Sequence, residues 1–135
     1  MVRRLILDTG VIVGFERQNS DLRAVIGDDE PAIAAITAME LLAGVNGVTS
    51  RHRDLVGLNV EALLTVMPVA DYTVEVARVH AHLMKHTRLT GQPRSAFDLI
   101  IAATAAATGS LLLTTDAAAR FDELPGVQAE LVKLD

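Results

Sequence analysis

Ser95–Asp116, S-A-F-D-L-I-I-A-A-T-A-A-A-T-G-S-L-L-L-T-T-D, is the most informative stretch of the chain. From Leu99 to Ala107 it is apolar on nearly every side, and a helix of that kind is buried all round rather than along one stripe. Gly109 and Ser110 stop the helix, and Leu111–Thr114 reads as a short apolar strand. The apolar run Leu99–Leu113 contains Thr104, Thr108, Gly109 and Ser110 and is too short to span a bilayer. A buried helix followed by a buried strand is the better account.

The same alternation continues outward. Val2–Leu7 predicts a first strand, Gly10–Gln18 and Asp21–Ile26 two short helices, Ala32–Ile36 a second strand and Thr37–Val45 a helix. Thr49 or Ser50 then caps a helix running to about Leu64, with Arg51, His52, Arg53 and Asp54 on its exposed side. Thr65–Val69 predicts a third strand, and Asp71 caps a long helix over Thr73–Leu89. Beyond Leu111–Thr114, Ala117–Phe121 predicts a short helix and Val127–Val132 an edge strand. The expectation is an α/β fold with a mostly parallel central sheet. With no internal repeat and no dividing linker, residues 1–135 read as a single domain.

Composition narrows the function. At 135 residues, half of them apolar, the chain is long enough for a real core and is not generally disordered. There is no cysteine, which removes disulfides, thiolate metal sites and thiol nucleophiles. Arg3 and Arg4 precede a stretch that reads as a strand rather than a signal-peptide core, so a soluble, cytoplasmic protein with no membrane partner is expected. The net charge of −5 argues mildly against a nucleic-acid partner. Four acids in one place would account for most of that charge, however, and two divalent ions would cancel them.

Those acids are Asp8, Glu40, Asp98 and Asp116. Asp8 and Asp116 close apolar strands, while Glu40 (T-A-M-E) and Asp98 (S-A-F-D) lie at the heads of helices. In an open parallel sheet such positions fall on one edge, where ligands bind. Converging carboxylates repel one another unless a cation holds them, and Mg²⁺ or Mn²⁺ take oxygen ligands of this type. Such ions support in-line attack of water on a phosphodiester. Thr114, two residues before Asp116, has a hydroxyl that could orient a ligand or a water; a solvent-facing Thr at a strand end fits the spacing equally well. Each acid also fits a plain helix cap: T-A-M-E and S-A-F-D match a capping box, and Asp8 and Asp116 precede short helices. Caps explain each position singly but not why one edge collects all four.

L-I-L-D-T-G-V-I-V at the start, M-E-L-L-A-G after the second strand, S-A-F-D-L-I-I-A-A-T-A and L-L-L-T-T-D occur in this order over nearly the whole chain. In these motifs the chain resembles the PIN domain family, and within it the VapC-type toxins of toxin–antitoxin pairs. The resemblance implies a three-layer α/β/α sandwich and a Mg²⁺- or Mn²⁺-dependent endoribonuclease. It implies Asp8, Glu40, Asp98 and Asp116 as catalytic metal ligands, with Thr114 in support. It also implies a homodimer and an antitoxin that covers the active site. Family members often carry a further acid shortly after the fourth position, where this chain has Ala117, Ala118 and Ala119.

No acid occurs between Val76 and Phe97, a span that holds Arg78, Lys85, Arg88 and Arg94 and leads straight to Asp98. These four are candidate RNA-backbone contacts, against the plainer reading of a solvated helix face. Arg51 and Arg53 form a smaller basic pair with the same two readings. His80, His82 and His86 do not share one helix face and have no further ligand at suitable spacing, which disfavours a metal cluster. Aromatics are few (Phe15, Tyr72, Phe97 and Phe121), so a base-stacking platform is not expected. Two other classes stay open. A different Mg²⁺-dependent phosphoryl-transfer domain is disfavoured because Asp8-Thr9-Gly10 lacks the second Asp of D-x-D and no lysine follows Thr114 before Lys133. A non-catalytic interaction module would use the acids only as caps.

Overall fold

Among the described residues five strands pair in parallel, in the order Val69–Ala70, Glu30–Ala34, Arg4–Leu7, Leu111–Thr114 and Ala129–Leu131. The structure is a computed structural model and describes residues 1–18, 21–46 and 60–133. Along the chain run β1 (Arg4–Leu7), α1 (Thr9–Arg17), α2 (Leu22–Ile26), β2 (Glu30–Ala34) and α3 (Ala35–Asn46). A helix described over 60–66 (α4) follows, then β3 (Val69–Ala70), α5 (Val74–Thr90), α6 (Ala96–Ala107) and β4 (Leu111–Thr114). Two 3₁₀ turns (Ala117–Ala119 and Phe121–Glu123) lead into β5 (Ala129–Leu131).

Successive residues of β1 point to opposite faces, and Leu5, Ile6 and Leu7 are all at most 1% exposed. Helices must therefore cover both faces. Ile6 and Leu112 pack with Val76, Leu83, Ile101 and Phe121 beneath α5 and α6. Leu5, Leu7, Ile33 and Leu113 pack with Ile12, Leu41 and Val60 beneath α1, α3 and α4. The result is the expected three-layer α/β/α sandwich. The order of strand addition reverses between β1 and β4, so the C-terminal ends of these two parallel strands flank the crevice where open parallel sheets bind ligands.

Several boundaries differ from expectation. β2 begins at Glu30 and gives way to α3 at Ala35 with no residue between strand and helix. Nothing in A-A-I-T-A opposes a helix, so the helix claims residues that read as strand. At the third strand, Thr65 and Val66 are helical and Met67 N donates to Leu63 O at 2.8 Å. The strand shrinks to Val69–Ala70 because that turn persists to Pro68, which has no N–H. Thr73, not Asp71, caps α5, its hydroxyl accepting from Val76 N at 3.2 Å. The turn after Asp116 splits at Arg120, whose left-handed φ of 49° breaks the helix. The helix expected from Thr49 or Ser50, with Arg51 and Arg53, begins outside the described residues. Among the described residues, no helix is long and apolar enough to cross a membrane.

Leu112, fully buried on β4 beside Ile6, tests this packing. Leu112→Ala should cost about 2–5 kcal/mol in urea unfolding, while Val66→Ala, at an exposed position, should stay within about 0.5 kcal/mol.

Candidate active site

Asp8 follows β1 directly and is 6% exposed. Its Oδ1 accepts from Thr9 N at 2.8 Å, which caps α1, and its Oδ2 accepts from Thr114 Oγ1 at 2.8 Å. Burial pushes the Asp8 carboxyl up, against the lowering effect of these two hydrogen bonds; repulsion from Asp98 and Glu40 pushes it further up. Thr114 is 3% exposed, which excludes the solvent-facing reading. Its hydroxyl donates to Asp8 and accepts from Asp116 N at 3.0 Å. The exposed Asp116 in turn caps the first 3₁₀ turn, Oδ1 accepting from Ala119 N at 3.2 Å.

Glu40 is not at the head of its helix. Because α3 starts at Ala35, Thr37 and Glu40 sit inside it, and the T-A-M-E capping box does not form. Glu40 Oε1 instead accepts from Thr9 Oγ1 at 2.8 Å, with the fully buried Thr37 Oγ1 3.2 Å from the same hydroxyl. Thr9 thus bridges two acids, its N–H to Asp8 and its hydroxyl to Glu40. Sequence reasoning passed it over; its place directly after Asp8 was the available signal. Gly10 follows, and a Cβ there would lie 2.9 Å from Thr115 Oγ1, so the missing side chain lets α1 close onto the exit of β4.

Asp98 lies in the first turn of α6, where Ser95 is the cap and its Oγ accepts from Asp98 N at 3.0 Å. Burial raises the Asp98 carboxyl, the Ser95 hydroxyl lowers it, Asp116 raises it and Arg94 lowers it. Glu40, Thr9, Asp8, Thr114 and Asp116 therefore form one hydrogen-bonded chain, and Asp98 joins it through charge. Among the described residues none of the four acids has an ion-pair partner. Nor do three Asp, Glu or His side chains stand close enough to ring a metal ion as they are placed. An ion would have to draw the carboxylates inward. The donor chemistry suits a hard divalent cation: all oxygen, strongly anionic, partly desolvated and otherwise uncompensated.

The other candidates separate. Arg94 donates Nε to Ala119 O at 2.8 Å, NH1 to Gln92 O at 2.9 Å and NH2 to Arg120 O at 3.3 Å, which makes it a staple between the head of α6 and the turn after β4. Arg78, Lys85 and Arg88 are exposed on α5, away from its buried Val76, Leu83 and Thr87. His80 Nδ1 is 2.8 Å from Tyr72 Oη, and His82 is exposed.

The PIN domain family model matches residues 5–127, and the chain belongs to the PIN domain family. Similar solved structures include VapBC2 from Rickettsia felis bound to a promoter DNA fragment, at 20% identity, 96% coverage of this chain and 99% of that one, with a TM-score of 0.87. DNA-bound VapBC from Salmonella typhimurium gives 23% identity, 97% and 98% coverage and a TM-score of 0.83. VapBC-5 from Mycobacterium tuberculosis, a member of the VapBC family of toxin–antitoxin systems, gives 27% identity, 97% and 98% coverage and a TM-score of 0.75. No curated protein matches the chain.

The raised carboxyls set a pH dependence. With folded pKa values above the ordinary 3.8, Asp8 and Asp98 bind protons more tightly folded than unfolded. The metal-free protein should therefore gain stability as pH falls from neutral toward 3.8. Asp21 and Asp29, whose carboxyls are lowered, oppose this only as pH falls through and below that value. Melting curves in EDTA should show a higher Tm in mildly acidic buffer than at pH 7, with a smaller difference in Asp98→Asn. An unchanged difference in that variant would assign the effect elsewhere.

Proposed function

We propose that this chain, as one PIN-like unit over residues 1–135, is a metal-dependent endoribonuclease and the toxin of a toxin–antitoxin pair. The carrying observation is the hydrogen-bonded chain from Glu40 to Asp116 at the sheet's switch point, with Asp98 beside it and, among the described residues, no salt bridge to any of the four acids. A bound Mg²⁺ or Mn²⁺ supplies charge neutralisation at the scissile phosphate and a more acidic water. The protein's part is orientation. Thr9 and Thr114 fix both oxygens of Asp8, Thr9 fixes Glu40, and Thr114 fixes the backbone at Asp116. Asp98, whose carboxyl burial raises, completes the acidic set, and Asp8, Glu40, Asp98 and Asp116 together would hold the ion. Arg78, Lys85 and Arg88 supply backbone contacts for RNA.

The likeness to chains solved in VapBC complexes supports a protein antitoxin as partner, and the family pattern supports a homodimer acting on RNA in the cytoplasm. The caps made by Asp8 and Asp116 are real, yet they leave the Thr9–Glu40 and Thr114–Asp8 bonds unexplained. That favours an active site over a module with structural acids.

Purified protein incubated with total RNA should yield discrete fragments with Mg²⁺ or Mn²⁺ and none with EDTA. Asp98→Asn should abolish cleavage, by 10²-fold or more as an order of magnitude, while keeping a native circular dichroism spectrum. Cleavage retained by that variant would remove Asp98 from the reaction. Thr114→Val, which takes away the donor to Asp8, should weaken Mn²⁺ binding in a calorimetric titration, and unchanged affinity would make Thr114 merely structural.

A further inference from the structure

Between the C-terminal half of α5 and the head of α6 runs an open groove of about 510 Å³. Met84, Pro93, Ala96 and Leu99 give it an apolar lining, with His80 and Arg88 also on its wall. His80, Met84 and Arg88 recur every four residues along one flank of α5, as a helix requires of residues lining a single groove. No acid lines it. Lys85, one turn from Arg88, and Arg78, two turns from Lys85, carry positive charge from there across the exposed face of α5.

Arg94 separates this groove from the carboxylates. It lines the groove, binds the carbonyls of Ala119 and Arg120 in the turn that Asp116 caps, and moderates the charge of Asp98. One side chain is thus shared by the wall of the groove and the wall of the acidic site. Single-stranded RNA offers flat, weakly polar bases on an anionic backbone, which matches an apolar slot with a cation beside it.

Resting on the ribonuclease reading, we propose that the α5–α6 groove seats one nucleotide of a single-stranded RNA substrate next to the scissile bond, with Arg88 on its phosphate. The base lies against Met84, Pro93 and Leu99, the backbone leaves over Lys85, and the neighbouring phosphate crosses Arg94 toward the acids. The groove then selects for an unpaired nucleotide, because a base still in a duplex cannot enter it.

The test uses the full chain and a short, fluorescein-labelled single-stranded RNA of mixed sequence, with anisotropy read in EDTA over a range of salt. Arg88→Gln and Met84→Glu both alter exposed positions of α5. Arg88→Gln should weaken binding several-fold and reduce the salt slope of log K by about 0.7, the loss of one single-strand phosphate contact. Met84→Glu, which places a carboxylate in the slot, should weaken binding further. A duplex of the same sequence should bind less tightly than the single strand. If the wild type binds and cleaves RNA in a metal-dependent way but both variants keep its affinity and slope, the groove proposal falls and the nuclease reading stands. If instead the variants change only the sedimentation coefficient, the groove is an interface between copies of the chain and the proposal is overturned. A wild type that neither binds nor cleaves RNA overturns both.

Discussion

The bond from Thr114 Oγ1 to Asp8 Oδ2 joins the two central strands just past their last ladder pair, Leu7 with Leu113. A carboxylate buried at that depth is costly unless protein groups replace its lost water. Thr9 N–H and the Thr114 hydroxyl do so, and each is held by an element the core already fixes: the first turn of α1 and the end of β4. The remaining site follows from this arrangement. Thr9, set by its bond to Asp8, presents its hydroxyl to Glu40, and Thr114, set likewise, receives the N–H of Asp116. Side chains from the β1–α1 junction, from α3 and from the end of β4 are thereby fixed relative to one another.

Parts of this were legible in the sequence because local chemistry and burial agree there. S-A-F-D folds as a Ser-capped helix start, and L-L-L-T is a strand with the expected bounds. Asp8 and Asp116 cap as their neighbours suggest, so the caps and the candidate ligands are the same residues in the same conformations. The mostly parallel sheet followed from the alternation of strands and helices, and the three-layer sandwich from the resemblance in the motifs.

Other parts depend on tertiary choices that no local signal carries. A-I-A-A-I-T-A-M-E suits strand or helix throughout, and the switch at Ala35 comes from pairing of Ala34 with Ala70 and from burial of Thr37 against Thr9. That displacement changed Glu40 from a cap to a hydrogen-bonded side chain of the site. Arg94 looked like one more cation in a basic span; its role as a staple depends on Ala119 and Arg120, some twenty-five residues later, turning back toward α6. Thr73 and Asp71 compete for the same cap, and geometry chooses the residue closer to Val76.

β2 passes into α3 without a connecting residue. Most strand–helix joints have a few loop residues that absorb insertions, deletions and small rotations. This joint has none, so the helical phase of α3 is locked to the pleat of β2. Each residue added or removed between Ala34 and Glu40 would turn the Glu40 side chain by about 100° around the helix axis, far from the Thr9 hydroxyl. The segment tolerates exchange of one small apolar residue for another but not a change in its length. Spacing, more than residue identity, is what this part of the chain has to preserve.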